Sequence, residues 1–204
     1  LIVSVVASPK AGWSAAQVAD DYAQCAAWAV EAGADVVEAN YSCPNVCSAE
    51  GQVYTDVALS KTVTETIRSG MGGLPLLLKI GVFPNAPLQR DFLRTVSDCA
   101  HGITLVNGIA REVRHADGRP VFGEQYLRAG VLGRIIHEPC VRAVREARAV
   151  IDAEELPLAL AAVGGVASVQ DYEDFMAAGA DAVLCGSSPM YLPDLAVEIK
   201  AGLG

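Results

Sequence analysis

Six short runs of apolar, β-favouring residues alternate along the chain with stretches of helical periodicity, and this ordering constrains the fold more than any other feature. The runs are Leu1 to Ala7, Asp35 to Asn40, Pro75 to Ile80, Gly102 to Asn107, Pro157 to Ala162 and Asp181 to Cys185. Each is nearly continuously apolar, the pattern of parallel strands covered on both faces. Between them, apolar residues spaced by three and four, as in Val18, Tyr22, Cys25 and Ala29, predict a helix. Further helices are expected near 57–69, 87–100, 138–152, 168–178 and 190–201. Ser14 and Ser168 stand where N-caps belong, and Ala32-Gly33-Ala34-Asp35 and Ala178-Gly179-Ala180-Asp181 each close a helix and lead into a strand. Strands that alternate with helices in this way give an α/β fold with a parallel sheet and crossover helices.

With 204 residues, 52% of them hydrophobic, the chain can bury a substantial core, and no linker rich in Pro, Gly or Ser divides it. We expect one domain over residues 1–204. A closed (β/α)8 TIM barrel needs eight units, so the six visible ones suggest a barrel whose first two units are missing, an N-terminally incomplete domain. A doubly wound open sheet is the alternative. The net charge of −9 argues against a nucleic-acid partner. No apolar run reaches the roughly 18 residues of a membrane span, and a cytoplasmic location is expected. The six cysteines show no disulfide spacing. Cys43 and Cys47 form C-x3-C, but no second pair exists and His101, His115 and His137 lie far along the chain, so no metal site is expected.

In both architectures ligands gather beyond the C-terminal ends of the strands. There the chain carries Asn40-Tyr41-Ser42-Cys43-Pro44-Asn45 after the second strand, Lys79 on the third and Asn107 after the fourth. Gly164-Gly165 follows the fifth strand and Gly186-Ser187 the sixth. Glycines after adjacent strands let backbone N–H groups approach a phosphate, although glycines also serve simple tight turns. Lys79 ends a run of Leu and Ile, an unusual place for a lysine unless its charge is used.

The Asn40 to Asn45 segment resembles the N-x-S-[CS]-P-N segment of dihydroorotate dehydrogenases. The rest follows that family's order: Lys79, Val106-Asn107, Ala129-Gly130-Val131-Leu132-Gly133, Val163-Gly164-Gly165-Val166 and Cys185-Gly186-Ser187. The resemblance covers essentially the whole chain. It implies FMN as cofactor and dihydroorotate, or a related pyrimidine, as substrate, with Cys43 as the base taking the C5 proton while the C6 hydride passes to flavin. Asn40, Asn45 and Asn107 would bind the pyrimidine. Asn40, Lys79 and Val106 would contact the flavin, and Gly133, Gly164, Gly165, Gly186 and Ser187 its phosphate. A homodimer is possible on the same ground. A free thiol ionises near pH 8.5, so such a base works best above neutrality or in a site that favours the thiolate.

Three features depart from the family pattern. Gly108 replaces the Ser or Thr usual after the matching asparagine, which weakens the assignment of substrate. Residues 110–128 are longer and more charged than a simple turn, with Arg111, Arg114, His115, Asp117 and Arg119, and read as a solvated loop or a cap on the site. The missing N-terminal units would normally supply further flavin contacts. Pro44 to Asp56 is expected to form a mobile lid. Rival readings are a flavin-dependent reductase of another pyrimidine, a barrel that binds a phosphorylated metabolite without redox chemistry, and an inactive fragment or structural subunit.

Overall fold

A computed structural model of the chain describes residues 1–43 and 49–203. The helix ends show most directly how local sequence fixes the architecture. Helix α1 (Ala15–Glu31) starts on Ser14, whose side chain accepts from the Gln17 N–H while the Gln17 side chain accepts from the Ser14 N–H, a reciprocal cap. It ends where Gly33, at φ 86°, turns the chain left-handed, with Ala34 N–H bonded to Ala29 O and Gly33 N–H to Val30 O. Helix α5 (Val169–Ala177) ends identically: Gly179 has φ 95°, Ala180 N–H reaches Phe175 O and Gly179 N–H reaches Met176 O. The twice-used A-G-A-D sequence is thus a Schellman motif that satisfies the last carbonyls and aims the chain into the next strand.

Six parallel strands form the main sheet: β1 (Ile2–Val5), β2 (Val36–Asn40), β3 (Leu76–Ile80), β4 (Gly102–Leu105), β7 (Ala159–Val163) and β8 (Ala182–Leu184). Their spatial order, β1-β2-β3-β4-β7-β8, follows the chain. A doubly wound sheet would reverse direction at its middle, so this order marks a sheet wound one way around an axis, a partial barrel. The connecting helices are α1, α2 (Val57–Gly70), α3 (Ala86–Val96), α4 (His137–Ala153) and α5, with α6 (Leu195–Gly202) after β8.

Alternation along each strand separates two faces. Val37, Ala39, Leu76, Leu78, Ile80, Ile103, Leu105, Leu160 and Ala162 are fully buried toward the helices. Tyr22, Ile67, Phe92, Val144 and Phe175 meet them from the helical layer in one continuous core. The other face is concave. There the two-sided covering expected of every strand is not met, since Ile2, Ser4, Ala159 and Ala182 are exposed. The reason is geometric: among the described residues β1 and β8 are open edges, so nothing faces these residues across the axis.

One further expectation is corrected. Residues 110–128 are not only a loop, because β5 (Ile109–Glu112) and β6 (Arg128–Val131) pair antiparallel in a ribbon of their own. The first part of the glycine-rich run Ala129 to Gly133 is therefore strand. In the segment read as a lid, residues 44–48, including Cys47, lie outside the described residues. Its end is fastened: Val53 and Tyr54 are buried, Ser60 Oγ donates to Val53 O at 2.7 Å, and Tyr54 Oη donates to Val82 O at 3.2 Å.

Candidate active site at the strand ends

Strand register brings the polar residues together. Asn40 on β2 is opposite Lys79 on β3, which is opposite Thr104 on β4. Because side chains alternate, Glu38 and Asn40, Leu77 and Lys79, and Gly102 and Thr104 share the concave face. Lys79 Nζ lies 2.8 Å from Glu38 Oε1 and 2.8 Å from Ser4 Oγ. The pair is shielded, with 18% of the Lys79 and 6% of the Glu38 side chain exposed, so a carboxylate that would be costly alone is balanced within the site. Sequence reading missed Glu38. Its signal was present, an acidic residue in an apolar strand two positions before Asn40 and therefore on the same face.

A second cluster positions the segment that carries Cys43. Asn107 Nδ2 donates to Asn40 Oδ1 at 3.2 Å and to Ser42 O at 3.0 Å, and Ser42 N–H donates to the same Asn40 oxygen at 3.2 Å. From below, Tyr22 Oη donates to Asn40 O at 2.7 Å, and burial raises the Tyr22 hydroxyl far above its ordinary range, keeping it a donor. Two asparagines and a tyrosine thus hold the chain just before Cys43, which is half-buried at the rim. Asn45 lies outside the described residues. The Ser42 and Thr104 hydroxyls are buried with no hydrogen-bond partner among the described residues, which leaves polar capacity at this edge of the sheet.

The glycine turns lie on the same edge, since Val106 N–H donates to Val163 O at 3.0 Å and joins the end of β4 to the residue before Gly164. Gly164 and Gly165 have φ 140° and 75°, and Gly133 has φ 82°. A Cβ on Gly165 would come 2.8 Å from Gly133 O and 3.1 Å from Arg134 Cα, so the two turns touch through space that only glycine leaves. Gly186 and Ser187 follow β8, the neighbour of β7, and run into a short 3-10 turn at Ser188–Met190. At Gly186 a Cβ would meet nothing within 4 Å, so that turn stands open. Gly108 differs, because a Cβ there would lie 3.0 Å from Leu132 Cδ2 at the end of β6. Of the other thiols, Cys140 is pushed up to about 12 by burial, and burial also raises Cys25 and Cys185.

These features define a partial, singly wound α/β barrel with a shielded ion pair, an asparagine cluster and touching glycine turns at the C-terminal ends of its strands. The chain belongs to the dihydroorotate dehydrogenase family, whose sequence model matches residues 3–204. It is 28% identical over 202 residues to a dihydroorotate dehydrogenase of Dictyostelium discoideum, a match covering 97% of this chain and 54% of that protein. It is also 28% identical over 167 residues to the catalytic subunit of dihydroorotate dehydrogenase B (NAD(+)) of Oceanobacillus iheyensis, covering 81% and 52%. Among solved structures, DHODH from Eimeria tenella in complex with ferulenol shares the fold, with a TM-score of 0.72 at 18% identity, over 91% of this chain and 53% of that one. The chain spans about half the length of these relatives. Among the described residues no helix is long and apolar enough to cross a membrane.

Proposed function

We propose that this chain is the site-bearing part of an FMN-dependent oxidoreductase that oxidises dihydroorotate to orotate in pyrimidine biosynthesis. The observation that carries the reading is the joint placement of the Asn40–Asn107 cluster, the Lys79–Glu38 pair and the glycine turns on one edge of the sheet, beside Cys43. The family is flavin-dependent, and the residues present fit such a cofactor. The touching turns at Gly133 and Gly164-Gly165 would hold its phosphate with Gly186 and Ser187, and Lys79 and Val106 would face its ring. FMN, when bound, supplies a two-electron acceptor.

The chain's own residues do the rest. Asn40, Asn45 and Asn107 offer amides, which donate and accept, to the matching groups of a pyrimidine ring. Cys43 Sγ, as the thiolate, takes the proton from the substrate carbon next to the one that loses hydride, so the new double bond forms as both leave. Lys79 would offer a fixed positive charge to the flavin ring, and Glu38 and Ser4 set where that charge sits.

Stopped-flow reduction of bound flavin by dihydroorotate tests the role of Cys43. Cys43→Ala is expected to bind flavin as the wild type does and to be reduced at least roughly 100-fold more slowly. Equal reduction rates would remove Cys43 from the chemistry. A second reading, reduction of another pyrimidine, is favoured by Gly108, which offers no hydroxyl where the family pattern implies Ser or Thr. Flavin that binds but is not reduced by dihydroorotate would select it.

A further inference from the structure

One side-chain network beside the glycine turns is not used by the proposed chemistry. His137, the first residue of α4, is buried, and its two ring nitrogens face different oxygens. Nδ1 lies 3.3 Å from the Gly164 carbonyl, and Nε2 lies 3.1 Å from Asp174 Oδ2 and 3.6 Å from Asp171 Oδ1. A carbonyl and a carboxylate can only accept. A neutral imidazole has one N–H and would leave one nitrogen lone pair against an oxygen, whereas the imidazolium donates at both ends.

Charged groups reach the ring from two elements. Asp171 and Asp174 face it from α5, and Arg134, in the turn before α4, places Nη1 3.0 Å from Asp171 Oδ2. Around the ring, two carboxylates therefore stand against one guanidinium. Two uncharged groups also pack here: the Phe175 ring meets the imidazole edge to face at 5.1 Å, and the neutral Cys140 thiol lies against Gly164. The Asp174 carboxyl is held below the ordinary carboxylate range, first by its hydrogen bond with His137. Asp171 also accepts from Ala167 N–H at 2.9 Å and Ser168 Oγ at 2.8 Å, so the network reaches both the β7–α5 turn and the start of α5.

We propose that His137 is a proton-dependent positioning residue for phosphate binding, which as the imidazolium latches the Gly164 carbonyl to α5. In a planar trans peptide the C=O and N–H point in opposite directions. Holding the Gly164 carbonyl toward His137 therefore fixes the Gly165 N–H pointing away from it, ready to donate to a phosphate ester. In the neutral ring the proton that remains is the one on Nε2, held by the carboxylates, so Nδ1 is left without an N–H and the Gly164 peptide is free to rotate. The inference rests on reading Gly164-Gly165 as the phosphate turn.

The test is FMN affinity by fluorescence quenching between about pH 6 and pH 8, the range in which histidines titrate, in wild type and His137→Gln. Ionisation of the FMN phosphate acts equally on both proteins and cancels in their ratio. The wild-type advantage is expected to shrink roughly 10-fold from the acid to the alkaline end, the worth of one charge-assisted hydrogen bond. A constant ratio overturns the proposal. Ring-nitrogen NMR of His137 without FMN is expected to show both nitrogens protonated at the acid end; a single proton throughout overturns it. Should His137→Gln not fold, Asp174→Asn takes its place and is expected to move the loss of affinity to lower pH, an unmoved profile counting against the latch. Absence of FMN binding to wild type at every pH would refute the flavin reading instead, and the ring-nitrogen titration alone would then decide the latch.

Discussion

Replacing Lys79 with Met removes the cation that balances a carboxylate with only 6% of its side chain exposed. Glu38 would lose a charge-assisted bond of 2.8 Å, and Ser4 Oγ would lose its donor, while the Met side chain fills a similar volume. Stranding a buried charge in this way costs about 3–5 kcal/mol, and the partial exposure of Lys79 places this case at the lower end, about 3 kcal/mol. With a urea slope near 2 kcal/mol per molar, the unfolding midpoint falls by about 1.5 M. Glu38→Gln is milder, about 1 kcal/mol, because Lys79 keeps Ser4 and can turn toward water. The double variant Glu38→Gln with Lys79→Met leaves no stranded charge, so it should be more stable than the sum of the single losses implies, by about 2 kcal/mol. Urea denaturation followed by circular dichroism measures all four proteins. Strict additivity would refute the claim that the two side chains form one shielded pair.

Gly165→Ala forces a side chain into φ 75° and within 2.8 Å of Gly133 O, and is expected to cost about 2–4 kcal/mol with loss of FMN binding, whereas Gly186→Ala, in open space, should change stability by less than about 0.5 kcal/mol. Urea midpoints check both, and equal losses would contradict the packing of the two turns. Burial pushes the Cys140 thiol up to about 12, so at pH 8 on the order of 1 in 10⁴ is thiolate and iodoacetamide should leave it unmodified in the folded protein. Its alkylation should begin only as the pH approaches that value or when urea unfolds the chain. Rapid labelling of Cys140 in the native state, read by peptide mass spectrometry, would show that the site is open.

The strands were legible because they read as short, nearly continuous apolar runs between helical patterns, and the A-G-A-D turns because a left-handed residue after a helix favours glycine, as at Gly33 and Gly179. What escaped notice depends on pairing. In β5 and β6 only Ile109 is buried and the rest are partly or fully exposed, so no apolar alternation announces them, and their antiparallel partnership is set by contact. Among site residues, Asn40, Lys79 and Asn107 stood out as polar groups ending apolar strands. Ser4 and Tyr22 did not, because their use depends on register with neighbours that are distant in sequence. In the sequence His137 stands only as a histidine far along the chain from Cys43 and Cys47. Its two oxygen partners come from the β7–α5 turn and from α5, which no local pattern links to it.

The most direct test of the central claim is an anaerobic absorbance titration of the purified protein, first with FMN and then with dihydroorotate. A flavin spectrum that shifts on binding and then bleaches with one equivalent of dihydroorotate is the predicted result. Failure of the protein to bind FMN at all would contradict the account and favour a phosphate-binding barrel without redox chemistry.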